Sequence, residues 1–137
     1  MPNQPINPDT LFKIPGLHQI VTSTGNTTIH IAGQVAYDSE MNLIGAGDYR
    51  AQTVKAFQNL ALALEAAGAT PEDVVSSHIF VKGLCPEVTG KFVEAMNEAL
   101  DGKPFPANAS SLIGVEALAD PELLVEISAV AVLEGNT

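Results

Sequence analysis

The final stretch of the chain, Leu123 to Leu133, shows the most regular alternation of side chains in the sequence. Successive side chains of a β-strand point to opposite faces, and here the odd positions are all apolar: Leu123, Val125, Ile127, Ala129, Ala131 and Leu133. The even positions are also aliphatic, except for Glu126 and Ser128. A face that met water would be polar along its whole length. We therefore expect a second layer to cover this face as well. Glu126 would then be partly shielded from water.

Two stretches have the three-and-four spacing of amphipathic helices. The first is predicted from Asp48 to about Ala67, with Gly68 as the stop, and its buried face would consist of Val54, Phe57, Leu60, Ala61 and Leu64. The second covers Pro86 to Leu100, with apolar residues spaced by four. Between them, Thr70-Pro71 favours a short helical turn that leads into a strand at Val74 to Val81.

The first third of the chain predicts shorter elements. Residues 1–15 are rich in Pro and Asn without a period, so we expect an irregular arm ahead of a single domain at residues 16–134. The β-branched runs His18 to Ser23 and Thr28 to Ala32 are separated by four turn residues, which favours a hairpin. Leu43-Ile44 could add a short extra strand.

The element order is thus β-β-(β)-α-β-α-β-β. Two helices of this length can cover one face of a five- or six-stranded sheet, which predicts a two-layer α+β fold with both helices on the same face of a mixed sheet. The composition of the last strand then favours a partner subunit on the other face, and a closed oligomer is the common solution.

Charge and cysteine content exclude several classes of function. The formal net charge is −10, with 6 basic and 16 acidic residues in 137, which argues against a nucleic-acid partner. No apolar run approaches the ~18 residues of a membrane span, and no signal-peptide layout begins the chain. One cysteine favours a reducing, cytoplasmic setting. The three histidines show no metal-ligand spacing, so we expect no metal site.

Four blocks of sequence, taken in order and spacing, resemble the RidA/YjgF family. They are Ile31-Ala32-Gly33-Gln34, the helix Gln52 to Gly68, Ile79-Phe80-Val81-Lys82, and Leu124 to Val132. The resemblance implies a chorismate-mutase-like α+β fold, and homotrimers whose sheets form a central barrel with three clefts between subunits. It also implies a small-molecule ligand and no cofactor, because the best-studied members are metal-free enamine/imine deaminases that hydrolyse 2-aminoacrylate-type intermediates to 2-keto acids and ammonia.

The resemblance assigns roles to two residues directly. Glu126 falls on the acidic residue of the family's last strand, which is thought to handle the attacking water. Gly33 falls on the glycine whose backbone approaches the ligand. For Glu126 the alternative is an interface carboxylate that is satisfied by backbone N–H groups or by Ser110 of a neighbouring subunit.

Three other family contacts are missing from this chain. The substrate-clamping arginine corresponds to Asn108 or, with the alignment anchored on the last strand, to Ser110, while Leu17 stands at the family's tyrosine position and Ala32 at its serine position. The chain's one arginine, Arg50, belongs to the first turn of the first helix. Serine or asparagine cannot reproduce a bidentate charged contact to a carboxylate, so deamination of a small 2-imino acid is not expected.

Two functions remain open on this basis. The first is a cofactor-free hydrolase that acts on an imine, enamine or related C–N substrate in the cleft between subunits, with Glu126 directing water. Ser110 and Ser111 would then contact polar atoms of the substrate, although strand hydroxyls often bond locally. The second is a module that binds a metabolite or a partner in the same cleft without chemistry.

Overall fold

The computed structural model describes residues 3–134 as an α+β fold in which two helices pack on a mixed sheet. The elements are β1 (Asn3–Ile6), β2 (Ile20–Ser23), β3 (Thr27–Gln34), α1 (Tyr49–Ala66), a 3-10 turn (Pro71–Asp73), β4 (Val74–Lys82), α2 (Pro86–Met96), β5 (Ala109–Val115) and β6 (Val125–Leu133). The predicted fold class is confirmed.

Four strands form the main sheet, in the order β3-β6-β4-β5. Strands β4 and β5 are parallel and are connected through α2, whereas β6 is antiparallel to both of its neighbours. The inner position of β6 agrees with its all-apolar odd positions, because a strand with partners on both sides is more buried than an edge strand. Its odd-numbered residues point toward the helices and form the centre of the core.

The two helices cover one face of the sheet, which we call the covered face. Helix α1 begins at its N-cap Asp48, whose side chain accepts a hydrogen bond of 3.1 Å from the backbone N–H of Ala51. The core between helices and sheet is closed by residues that are 0–3% exposed: Phe57, Leu60, Leu64, Phe92, Ile79, Val81, Val125 and Ile127. A buried glutamine, Gln52, ties α1 to the segment before β6, since it bonds the backbone of Glu122 and Leu124.

The opposite face of the sheet, which we call the open face, has no second layer within residues 3–134. Strand register places four short rows of side chains there: Thr28, His30 and Ala32 of β3, Glu126, Ser128 and Val130 of β6, Ser76, His78 and Phe80 of β4, and Ser111 and Ile113 of β5. Phe80 and Val130 are half-buried, and Ile113 is 36% exposed. The open face therefore mixes these apolar side chains with polar ones, and a single chain leaves most of them half-buried or exposed.

Strand pairing in the first third of the chain differs from expectation. The predicted hairpin is wrong: β2 pairs with β1, and β3 pairs with β6. The arm that was expected to be irregular therefore contains a strand, and Asn3 donates from its side-chain amide to the backbone oxygens of Asp73 and Val132, each at 3.3 Å. Leu43 forms only an isolated bridge with Tyr37.

The other boundaries agree with the sequence patterns to within a few residues. Helix α2 ends at Met96, earlier than the expected Leu100, and the residues after it form turns. No helix within residues 3–134 combines the length and the apolar character needed to cross a bilayer.

Candidate functional site

Glu126 and Gly33 lie against each other at the β3–β6 pair. The register of this pair shifts between Ile31 and Gln34, so Gly33 sits in an irregular part of β3. A Cβ atom on Gly33 would lie 2.6 Å from Cδ and 3.0 Å from Cγ of Glu126. Since real Cβ atoms do not come this close to other atoms, only glycine leaves room for the carboxylate at this position.

Glu126 is half-buried on the open face of the sheet. Directly across the β4–β6 pair lies Phe80, and Ser128 is the next residue along the same face of β6. Within residues 3–134, the carboxylate of Glu126 makes neither a hydrogen bond nor an ion pair. Its lone pairs are therefore available to water or to a ligand.

A second candidate region is a cavity of about 520 Å³ at the β5 edge of the sheet, on the covered side. Helix α2, the segment before β5 and the arm residues 14–17 form its walls, which include Ile14, Leu17, Phe92, Met96, Phe105, Asn108, Ser110 and Leu112. This volume is typical of a small-molecule site. None of its lining residues has an ionisable side chain.

The polar floor of this cavity is built from three side chains. Ser77 Oγ lies 2.7 Å from Asn108 Oδ1 and 3.1 Å from Ser110 Oγ. Ser77 and Asn108 are each 1% exposed, and Asn108 also donates from Nδ2 to the backbone oxygen of Pro106 at 2.9 Å. The main chain of Asn108 holds the arm in place, because its carbonyl accepts from the N–H of His18 at 2.9 Å.

The predicted site residues fall into two groups. Leu17 and Ser110 line the cavity, whereas Glu126, Gly33, Ala32 and Ser111 lie on or beside the open face. Ser110 and Ser111 are neighbours in one strand and so point to opposite faces. Ser111 lies opposite His78 and is exposed. A single chain thus keeps Ser110 and Glu126 on different faces of its sheet.

Sequence reasoning missed two residues of the polar floor, Ser77 and the buried side chain of Asn108. Ser77 sits in the predicted strand at a position facing the core, and a hydroxyl there needs a partner. For Asn108 the sequence indicates only a candidate for the arginine position, and not a buried amide that bonds a neighbouring strand. The signal that could have linked them is a pair of small polar residues in two strands that become neighbours, but their register is not visible in the sequence.

Arg50 is engaged elsewhere and does not line the cavity. Its guanidinium bonds Glu94 at 3.2 Å and also Glu98, which joins the start of α1 to α2. The hydrogen bond that Arg50 donates to the Glu98 carboxylate raises the pKa of Arg50 above its ordinary value, so the group stays charged. Among residues 3–134, no three histidine, cysteine or acidic side chains are grouped so that they could hold a metal ion.

Comparisons with known proteins agree with this architecture. The family model described as Endoribonuclease L-PSP matches residues 16–133. A RutC family protein of Pyrococcus abyssi is 33% identical over 107 residues, which are 77% of this chain and 79% of that protein.

Two solved structures extend the likeness to the whole fold. The Rid family protein YyfB of Yersinia pestis, described as of unknown function, is 38% identical with a TM-score of 0.85, covering 97% of this chain and all of that one. Rv2704 of Mycobacterium tuberculosis, from the YjgF/YER057c/UK114 family, is 31% identical with a TM-score of 0.60, covering 87% and 88%. The sequence resemblance is confirmed: the chain belongs to the Rid/YjgF family, whose family model is described as Endoribonuclease L-PSP.

Proposed function

We propose that this protein is a homotrimer that binds a small molecule in clefts between subunits, and that it hydrolyses an imine, an enamine or a related C–N substrate without a cofactor. The observation that carries the proposal is the Glu126 carboxylate, which lies against Gly33 on the open face and is unpartnered within residues 3–134. A half-buried carboxylate without a protein partner is placed to accept a proton from water. A cytoplasmic location stays a prediction that rests on the single cysteine.

The chemistry needs one carboxylate and one water. Glu126 accepts a proton from water as the water oxygen bonds to the imine carbon, and passes it to the imine nitrogen, which gives a neutral carbinolamine. Glu126 then takes the hydroxyl proton of the carbinolamine and passes it to nitrogen as the C–N bond breaks, leaving a carbonyl compound and ammonia. An enamine first takes a proton at carbon and loses one from nitrogen to become the imine. Nothing is oxidised or reduced, so the reaction needs only water as co-reactant.

The open face supports the assembly. Phe80, Val130 and Ile113 form an apolar surface that a single chain leaves uncovered, and apolar patches of this kind mark interfaces. An interface between subunits also offers a way to bring Glu126 of one subunit to the cavity of the next, since one sheet holds Glu126 and Ser110 on opposite faces. The net charge of −10 disfavours an RNA substrate.

Replacement of Glu126 tests the proposed mechanism. Ammonia release above the uncatalysed rate is measured with a neutral imine and with 2-iminopropanoate generated in situ. We expect turnover of the neutral imine to fall about 10²-fold or more in Glu126→Gln, with the exposed Glu116→Gln as the matched control. Unchanged turnover in Glu126→Gln would exclude this role, and a monomeric mass in native mass spectrometry would exclude the composite cleft.

The second candidate is a binding module without chemistry, and the cavity floor favours it. Where deaminases of the family carry a clamping arginine, this chain has Asn108 or Ser110, and both side chains are already engaged with Ser77. A ligand that raises the melting temperature and is recovered unaltered after long incubation would support this function over the hydrolase.

A further inference from the structure

The hydrogen bonds at the cavity floor fix the direction in which Ser110 can act. Asn108 donates from Nδ2 to the carbonyl of Pro106, and because that carbonyl can only accept, the orientation of the amide is set. Asn108 Oδ1 therefore faces Ser77 and must accept. Ser77 has one hydroxyl proton, and the 2.7 Å contact with Asn108 uses it.

The contact between Ser77 and Ser110 must then run the other way. Their oxygens are 3.1 Å apart, and since the proton of Ser77 is committed to Asn108, the proton of this bond comes from Ser110. Ser110 lines the cavity and is half-buried. As long as this bond is kept, Ser110 presents its lone pairs rather than its proton to the cavity.

From these hydrogen-bond directions we infer that the cavity selects a neutral ligand with an apolar body and a hydrogen-bond donor. The donor is an N–H or O–H group that bonds Ser110 Oγ. The inference rests on the proposed function, because it describes the class of substrate that the same cleft would bind. The N–H group of an imine or enamine is a donor of the required kind. Most of the other lining residues are aliphatic or aromatic, with Asn97 and Asn108 as the polar exceptions, and no ionisable side chain is among them.

A carboxylate is disfavoured for two separate reasons. It would be buried without a counter-charge, which is costly in an apolar cavity. Its oxygens are also acceptors only, so they would meet the lone pairs of Ser110. An uncharged ester avoids the first penalty but not the second, so comparing the three head groups separates charge from hydrogen-bond direction.

The test uses three probes with one body: 4-methylpentanamide, methyl 4-methylpentanoate and 4-methylpentanoate. Dissociation constants for the full chain come from ligand-observed NMR titrations. We expect the amide to bind about three- to tenfold more tightly than the ester, the range of one neutral hydrogen bond. The carboxylate should be the weakest ligand.

Variants locate the effect on Ser110. Ser110→Ala should weaken amide binding about three- to tenfold and leave ester binding unchanged. The matched control Ser23→Ala, an exposed serine of β2 that does not line the cavity, should change neither. Ser77→Ala frees the proton of Ser110 for the ligand, so the ratio of amide to ester affinity should fall toward one. Far-UV circular dichroism and melting curves check folding, and Ser110→Ala alone suffices if Ser77→Ala does not fold.

Three results would overturn the inference: equal binding of amide and ester by the wild type, preference for the carboxylate, or absence of binding by all three probes. The probes are not imines, so binding is measured independently of turnover. Amide selectivity without imine hydrolysis would refute the hydrolase and leave the inference standing. Hydrolysis of a neutral imine without amide selectivity would support the hydrolase and refute the inference.

Discussion

The covered and open faces of the sheet are built from the same strands, yet one chain completes only the first. On the covered face, Val125 and Ile127 of β6 are fully buried under α1 and α2. On the open face of the same strand, Glu126 and Val130 are half-buried with no layer above them. Under the proposed function, the covered face stabilises the subunit and the open face serves assembly and chemistry. Three variants with their controls test this division, and a fourth probes a loop outside it.

The largest expected effect is the loss of the assembly in Val130→Asp. A charge placed in a closed apolar interface costs several kcal/mol when it has no partner. Native mass spectrometry should show the variant as a monomer, and Val130→Thr, which nearly keeps the side-chain volume, should stay assembled. A Val130→Asp protein that keeps the wild-type mass would mean that the open face is not the interface.

Truncation on the covered face should destabilise the subunit itself. Ile127→Ala removes a side chain with 0% exposure and should cost about 2–5 kcal/mol of unfolding free energy in urea titrations. The loss should be the same at high and low protein concentration. Val130→Ala is the comparison on the open face, and its smaller cost should disappear on dilution. If Ile127→Ala and Val130→Ala lowered the unfolding free energy equally and independently of protein concentration, the two faces would not differ in their roles.

Gly33→Ala should separate function from assembly on the open face. The added Cβ would force the flexible Glu126 carboxylate to move, so we expect a small loss of stability, under about 1 kcal/mol, and a drop in turnover like that of Glu126→Gln. The control is Gly90→Ala in α2, where the Cβ would meet nothing within 4 Å and alanine should stabilise the helix by about 0.5–1 kcal/mol. Wild-type turnover in Gly33→Ala would show that the position of the carboxylate does not matter.

The smallest effect concerns a loop that belongs to neither face. The backbone N–H of Asn42 bonds the Asp38 carboxylate and lowers its pKa, and the Asn42 amide adds to this. A lowered folded-state pKa means that Asp38 stabilises the fold above its unfolded pKa and loses this contribution as the pH falls through the folded value. Melting temperatures of wild type and Asp38→Asn should therefore differ at pH 7 and converge below about pH 4.

A gap between wild type and Asp38→Asn that stayed constant down to pH 2 would contradict this origin. Glu116→Gln is the control for loss of an exposed carboxylate at the surface.

Periodicity predicted the elements that are long and locally encoded. Helix α1 with its Asp48 cap, and β6 with its two apolar faces, follow from spacing alone. Pairing in the first third could not be predicted, because a short β-branched run such as β2 fits several partners and the choice depends on distant contacts. Here the choice is linked to Asn3, which bonds the backbone 70 and 129 residues away.

The part of the candidate site that lies on the β3–β6 pair could be predicted from the sequence. The resemblance assigned roles to Glu126 and Gly33 separately, and the structure places them in contact. The position of Ser110 on the face opposite Glu126 depends on the β4–β5 register, which only the folded chain fixes. The polar floor escaped the sequence because a buried serine and asparagine are indistinguishable from surface ones until their neighbours are known.

The arm that forms one wall of the cavity also gives trypsin a cleavage point beside the ligand. Lys13 has an exposed side chain, and the next residue along the chain, Ile14, lines the cavity. A cut at the Lys13–Ile14 bond would separate the wall from the strand β1 that anchors the arm. Limited digestion of this one peptide bond therefore reports occupancy: a seated ligand that contacts Ile14 and Leu17 slows the cut, and an empty cavity leaves it fast.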